Sequence, residues 1–185
     1  MKTGIICFET GQFRSHNTDN EFYALPLLQY LEQAWHIPYI YRQIASVEDF
    51  KYYFKKISQL HFQSKYGIIY FSFHGDSANI QLPTGTVSLD EIAEIAAKYE
   101  AFKGRHIHFS SCETMKCEED IIRRFKKETK AETVSGYTAC VDSVQASVNE
   151  LAYFDQIFQY KTVGTIANHI QNYQEILDRL GFCIY

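Results

Sequence analysis

The sequence predicts an α/β fold in which helices cover both faces of one mostly parallel β-sheet. Strand-like and helix-like segments alternate along the 185 residues, and this alternation is typical of parallel sheets with helical crossovers. The segment YGIIYFSFHG (66–75) has apolar residues at both its odd and its even positions. A central strand that is buried on two faces requires this pattern. No repeat or Pro/Gly/Ser-rich linker divides the chain, so we expect a single domain over residues 1–185.

The first half of the chain predicts three strands, at 4–9, 37–44 and 66–75, and two helices, at 20–35 and 46–62. Asp19 is the candidate cap of the first helix, and Pro26 is compatible with its first turn. The second helix opens with Ser46 and Asp49 at capping-box spacing. The third strand is expected to stop at His74 and Gly75.

The second half begins with a polar segment at 79–88, which indicates a short hairpin or an extended excursion, and then repeats the strand and helix pattern. We predict a helix at 89–102, a strand at 106–112, a helix at 117–130, a strand at 133–141, helices at 142–160 and 164–180, and an edge strand at 181–185. The fourth main strand, HIHFSSC, therefore ends at Cys112, just before an expected helix start.

Composition excludes several classes of protein. The formal net charge of −4 provides no overall field that attracts phosphate, so we expect no nucleic-acid partner. Five cysteines give no even disulfide framework and the first residues do not resemble a signal peptide, which indicates the cytoplasm. The apolar runs are far shorter than the roughly 20 residues that span a bilayer, so we expect no membrane association.

The ends of two predicted strands carry reactive side chains. Functional groups of open α/β sheets gather at the carboxyl ends of the strands, which here present His74 and Cys112. A thiol beside a helix start is favoured as thiolate, the nucleophilic form. The N–H groups of Gly75 and Cys112 are candidates for an oxyanion hole, and His74 for protonating the leaving amine.

Two observations oppose this interpretation. Glu113, Glu118, Glu119 and Asp120 follow Cys112 in the sequence and would raise the pKa of its thiol if they lay close. Buried cysteines and hydrogen-bonded histidines are also common in ordinary packing. The spacing alone therefore does not distinguish a catalytic dyad of His74 and Cys112 from two residues that only pack in the structure.

Four segments in order resemble the caspase-like fold of clan CD cysteine peptidases, and within it the CHAT domains. The segments are FHG at 73–75, SLDEIAEI at 88–95, GRHIHFSSCET at 104–114 and ETVSGYTACVDSVQASVNELAYFDQIF at 132–158. The resemblance covers residues 66–158. It implies a three-layer sandwich with a six-stranded sheet in the order 2-1-3-4-5-6, a Cys112 nucleophile, a His74 partner, and an oxyanion site formed by the Gly75 and Cys112 amides.

The sequence departs from the family pattern at three positions. Met115 stands where the family has glycine, and Ser143 replaces a second aspartate. Ser110 occupies the position at which metacaspase-like relatives hold a basic P1 side chain with aspartate, so no preference for Arg or Lys follows. Ser110, Glu113 and Asp142 are the candidates for the substrate pocket.

We therefore expect a cytoplasmic, bacterial cysteine endopeptidase that needs no cofactor and cleaves protein or peptide substrates. Regulation would come from an activating partner, self-cleavage or self-assembly. The alternative is a silent or latent interaction module on the same fold. A zinc site from Cys112, Cys117, His106 and His108 lacks the usual ligand spacing. A cysteine phosphatase would need arginine at position 118, which is glutamate.

Overall fold

The computed structural model describes residues 4–10, 24–160 and 162–185, with the backbone only at residues 172 and 174–176. Within these residues the chain is α/β, with one large sheet, one small sheet and surrounding helices. The strands are β1 (Gly4–Glu9), β2 (Tyr39–Gln43), β3 (Tyr66–Ser72), β4 (His74–Asp76), β5 (Asn79–Leu82), β6 (Gly85–Ser88), β7 (His106–Ser110), β8 (Thr133–Tyr137) and β9 (Phe182–Ile184).

The large sheet has six strands in the order β2-β1-β3-β7-β8-β9, and all pairs but the last are parallel. β9 runs antiparallel to β8 and closes one edge, which confirms the predicted edge strand. This order differs from the predicted order 2-1-3-4-5-6, because three short strands intervene along the chain after β3. These strands, β4 to β6, form a separate antiparallel sheet that includes the predicted hairpin.

The helices mostly follow the predicted pattern, with breaks that shorten them. They are α1 (Ala24–Trp35), α2 (Val47–Ile57), α3 (Leu60–Lys65), α4 (Leu89–Tyr99), α5 (Glu119–Thr129), α6 (Ser143–Gln159), α7 (Val163–Ile170) and α8 (Gln174–Leu180). The capping box of α2 is confirmed, since the Ser46 and Asp49 side chains each bond the other's backbone N–H. Pro26 lies in the first turn of α1, whereas Asp19 lies outside the described residues.

The core has two layers because the sheet is covered on both faces. Alternate side chains of β1 point in opposite directions, so Ile6 and Phe8 pack with α2, α4 and α5, while Ile5 and Cys7 pack with α1, α6 and α7. The first layer is rich in aromatic rings; Phe71 stacks on Phe109 with 4.9 Å between centroids. Burial on both faces explains why the central strands are apolar throughout.

Arg105 and Glu150 are among the charged side chains buried in the described part of the chain, and both are hydrogen-bonded. Arg105 is completely buried, and its guanidinium donates to the backbone carbonyls of Ile57, Tyr66 and Ala101. Burial lowers its pKa to about 10. On the other face, the buried carboxylate of Glu150 accepts hydrogen bonds from tyrosine hydroxyls on β3 and β8. Such groups are costly to bury unless bonded, so both fix the local geometry.

Candidate active site

Cys112 lies in a turn just after β7, at the carboxyl edge of the large sheet. Its side chain is partly buried, and its sulfur accepts a hydrogen bond of 3.2 Å from the backbone N–H of Val141. The Cys140 sulfur lies 3.5 Å from the Cys112 sulfur. Both contacts come from the segment between β8 and α6, because neighbouring parallel strands deliver the loops that follow them to one edge.

Burial raises the pKa of the Cys112 thiol above its ordinary value. The Val141 N–H lowers the pKa because it stabilises the thiolate, whereas Cys140 and Glu113 raise it. The expectation that a helix start beside Cys112 favours the thiolate is wrong, since α5 begins at Glu119 and residues 113–118 intervene. A raised pKa disfavours the thiolate form of Cys112, so nucleophilic chemistry at this residue would need a base that removes the thiol proton.

The prediction that the third strand ends at His74 and Gly75 is wrong. β3 stops at Ser72, and His74 opens β4 in the small sheet with its side chain exposed. The chain leaves the large sheet there because β4 pairs with β5. In the described part of the chain, the hydrogen-bond partners of the Cys112 sulfur are Cys140 and Val141, and the His74 ring is not among them.

The segments that carry the two predicted catalytic residues are nevertheless packed directly on each other. A Cβ built on Gly75 would lie 2.0 Å from Thr114 Oγ1 and 3.0 Å from Ser111 Cβ, so only glycine allows this approach. Two backbone hydrogen bonds of 3.0 Å, from Ser77 N to Glu113 O and from Ala78 N to Thr114 O, join the segments. The small sheet is thus fastened to the Cys112 turn.

Three residues at the contact between the small sheet and the Cys112 turn have a left-handed backbone conformation, and none of them is glycine. The φ angles are 36° at Ser77, 64° at Ala78 and 52° at Glu113. Ser77 and Ala78 form the two-residue turn between β4 and β5, where positive φ at both positions matches the twist of the strands. Non-glycine residues adopt this region at a cost that surrounding contacts must offset, and such strain is concentrated at functional sites.

The hairpin register leaves the backbone N–H of Gly75 directed away from β5. Asp76 and Asn79 flank the two-residue turn and form a hydrogen-bonded pair, so the next pair, Gly75 with Ile80, is a non-hydrogen-bonded one. An amide in such a position is available to a group outside the hairpin. This register is compatible with the expected oxyanion role of the Gly75 amide.

The three predicted pocket residues occupy different positions. Ser110 is the last residue of β7 and is partly buried. Glu113 forms an ion pair with Lys116 at 2.8 Å. Asp142 is the N-cap of α6, and its carboxylate accepts the N–H groups of Val144 and Gln145, so its primary contacts are with its own helix.

Met115, at the position where the resemblance implies glycine, packs behind the Cys112 turn. Its side chain is buried and lies against Gly136, where an added Cβ would come within 2.8 Å of the Met115 Cγ. Its backbone N–H bonds the carbonyl of Tyr137 at 3.1 Å. The methionine therefore anchors the Cys112 turn to β8.

Sequence reasoning missed several residues of this edge. Cys7, Cys140 and Cys183 fall in the predicted strands 4–9, 133–141 and 181–185; Cys7 is fully buried and Cys183 partly so, but Cys140 is exposed beside Cys112. The predicted strand 133–141 ends at Tyr137, which releases Cys140 into the following loop. The rule that strand ends carry function, applied to β8 as to β7, would have indicated it.

A buried carboxylate at the end of β1 was also missed. Glu9 accepts hydrogen bonds from Ala24 N at 3.0 Å, Tyr41 OH at 2.8 Å and Ser72 Oγ at 2.9 Å. It ties the start of α1 to the ends of β1 and β3 and to the middle of β2, and so stiffens the edge from which the candidate site projects. The isolated acid at the end of an apolar strand was its signal in the sequence.

His106 and His108 occupy positions unlike those of a zinc site. The His106 ring bonds Thr133 Oγ1 at 3.0 Å, and the buried His108 ring lies between Ser135 and Glu150. Among residues 4–10, 24–160 and 162–185, no three His, Cys, Asp or Glu side chains are grouped as a metal site needs. The helices described here include none with the length and apolarity to cross a bilayer.

The comparison with protein families identifies one match. A family of unknown function (DUF6642) matches residues 2–185, and the chain belongs to this family. No curated protein matches the sequence.

Proposed function

We propose that this member of DUF6642 is a cysteine endopeptidase of the caspase-like type, with Cys112 as nucleophile and His74 as its partner. The observation that carries the proposal is the packing of Gly75 against Ser111 and Thr114, which brings the strand beginning at His74 onto the Cys112 turn. Residues 36 or more positions apart in the sequence are thereby packed and hydrogen-bonded together.

The proposed reaction follows from the protonated state of the thiol. His74 takes the proton of Cys112, the thiolate attacks the scissile carbonyl, and the imidazolium returns the proton to the departing amine. The Gly75 and Cys112 N–H groups stabilise the oxyanion. Water then hydrolyses the acyl-enzyme and restores the free thiol.

The architecture supports a caspase-like three-layer sandwich. Helices pack on both faces of the large sheet, and the candidate site lies at the carboxyl ends of its strands. If β4 to β6 are treated as an insertion after the third strand, the remaining strands follow the order implied by the resemblance. The insertion then has a function, since it carries His74 and Gly75.

The proposed setting is the cytoplasm, with a protein or peptide as substrate and an activating partner or self-assembly as regulation. All five cysteines are free, including the pair with sulfurs 3.5 Å apart. Free thiols at such a distance are compatible with a reducing compartment. The net charge of −4 supports a partner other than nucleic acid.

A silent or latent interaction module is the second candidate, and the pKa of Cys112 favours it. A thiol with a raised pKa and no hydrogen bond to His74 is a weak nucleophile as it stands. In that case the edge that carries Cys112 and His74 binds a peptide or a subunit without cleaving it. Activation would have to reposition His74 before turnover.

Covalent labelling separates the two candidates. Purified protein is treated with peptide-based electrophiles carrying different P1 residues, and the adduct is located by mass spectrometry in wild type, Cys112→Ala and His74→Ala. Matched controls are Cys117→Ala, another partly buried thiol, and His61→Ala, an exposed histidine on α3. Modification of Cys112 that depends on His74 and on the P1 residue supports the peptidase. Labelling independent of His74, in folded protein, contradicts the dyad.

A further inference from the structure

We propose that Cys112 and Cys140 are a peroxide-sensitive thiol pair, which forms a reversible disulfide and thereby removes the nucleophile of the candidate site. The formation of the disulfide stands on geometry alone. Its inhibitory consequence rests on the proposed peptidase function.

The two sulfurs are already close to bonding distance. They are 3.5 Å apart, whereas a disulfide is about 2.05 Å long, so an approach of roughly 1.5 Å suffices. Cys140 lies in the irregular segment between β8 and α6, and Cys112 lies in a turn. Neither is within a strand or a helix, so the sulfurs can approach without disturbing a regular element.

Backbone contacts on both sides of Cys140 hold the pair together. The N–H of Glu113 bonds the carbonyl of Ala139 at 3.1 Å, and the N–H of Val141 bonds the Cys112 sulfur at 3.2 Å. The residues before and after Cys140 are thus both fastened to the Cys112 turn. The proximity of two thiols separated by 28 positions is a consequence of this backbone register.

Cys140 is the exposed member of the five cysteines, and the other four are partly or fully buried. Cys140 is exposed and Cys112 is partly buried, whereas Cys7 is fully buried behind α1. Cys183 is largely enclosed, and its thiol donates to the carbonyl of Gly136. An aqueous oxidant therefore reaches Cys140 first, with Cys112 directly behind it.

The chemistry balances with hydrogen peroxide as the oxidant. The Cys140 thiolate attacks one peroxide oxygen, the O–O bond breaks, and Cys140 becomes a sulfenic acid while hydroxide leaves and takes up a proton. The Cys112 sulfur then attacks the sulfenic sulfur, its proton and the hydroxyl leave as water, and the S–S bond forms. Two thiols are oxidised by two electrons and the peroxide is reduced to two waters. A dithiol reductant reverses the reaction.

The test begins with the fully reduced protein. It is exposed to one equivalent of hydrogen peroxide, quenched with an alkylating agent under denaturing conditions, and digested without reduction. We expect a peptide cross-linked through Cys112 and Cys140, the loss of two of the five alkylatable thiols, and recovery of both after a dithiol reductant. Cys140→Ser should lose the cross-link, and the matched control Cys117→Ser should retain it.

Two results would overturn the proposal. One is oxidation of Cys112 or Cys140 to sulfinic or sulfonic acid in wild type with no cross-link between them. The other is a disulfide from either cysteine to Cys117 or Cys183 as the main product.

The same samples distinguish failure of this proposal from failure of the proposed function. Peptide electrophiles that label reduced Cys112 should not label it after peroxide treatment, whereas Cys140→Ser should lose this protection. A cross-link in protein that never reacts with the electrophiles supports the thiol pair and contradicts the peptidase. Labelling of Cys112 by the electrophiles without any cross-link after peroxide supports the peptidase and contradicts the thiol pair.

Discussion

Replacement of Gly75 by alanine tests whether the small sheet is packed as tightly on the Cys112 turn as the structure indicates. The added Cβ would lie 2.0 Å from Thr114 Oγ1, 2.9 Å from Asn79 O and 3.0 Å from Ser111 Cβ, where ordinary contacts are 3.4–4 Å. The obstacle cannot rotate away freely, because the buried Thr114 hydroxyl bonds Ser111 Oγ at 2.6 Å. Overpacking of this kind destabilises proteins by about 1–3 kcal/mol.

We expect Gly75→Ala to lower the free energy of unfolding by this amount. For a domain of this size the corresponding decrease in melting temperature is roughly 3–10 °C. Urea unfolding followed by far-UV circular dichroism measures the change. Gly164→Ala is the matched control: nothing lies within 4 Å of its added Cβ in α7, so it should be neutral or stabilise by up to about 1 kcal/mol.

A double-mutant cycle identifies the cause of the loss. Thr114→Ala removes the nearest obstacle and should cost about 1 kcal/mol by itself, through its buried hydrogen bonds. The double variant Gly75→Ala/Thr114→Ala should then be more stable than the sum of the single changes predicts, by roughly 1 kcal/mol or more. Additive costs, or a neutral Gly75→Ala, would refute the reasoning.

Three further predictions concern the thiol and the buried charges. Because burial and Cys140 raise the pKa of Cys112, its alkylation by iodoacetamide should reach half its maximal rate at a higher pH than that of free cysteine. Cys140→Ala should lower that pH. An unchanged pH profile would contradict the contribution of Cys140 to the pKa of Cys112. Arg105→Lys should destabilise by about 2 kcal/mol or more in urea unfolding, because an ammonium cannot reach three carbonyls as a planar guanidinium does. The surface change Arg124→Lys should stay within about 0.5 kcal/mol, and equal effects would count against the buried network. Glu9→Gln turns an NH₂ group toward donors and should cost about 1–3 kcal/mol by the same measurement; a stability equal to wild type would show that the carboxylate is not required.

The fold class was predictable because its signals are local. The strands β1 and β3 are buried on both faces, which produces continuous apolar runs, and the helices between them have amphipathic spacing and polar caps. The hairpin at 79–88 was predicted from turn residues and is confirmed as β5 and β6. These features depend on a few neighbouring residues, so the sequence alone predicts them.

The candidate site was only partly predictable because its geometry depends on contacts between distant segments. Nothing near Glu113 indicates a left-handed residue, since the conformation is fixed by hydrogen bonds to Ser77 and Ala139. The strand pattern of TVSGYTACV continues to Val141, but pairing stops at Tyr137, where the backbone turns toward Met115 and Cys112. A sequence pattern does not show where pairing ends, so the position of Cys140 was missed.

The charged groups at the carboxyl edge narrow the chemistry that this site can perform. Glu9 holds three hydrogen bonds in a buried position, and Asp142 caps its own helix. Glu113 is paired with Lys116. Carboxylates committed in this way are poorly suited to act as general bases, because protonation would break the contacts that hold the edge together. This leaves the Cys112 thiol, the Cys140 thiol and the exposed His74 imidazole as the groups at this edge on which the proposed proton transfer, nucleophilic attack and thiol oxidation rest.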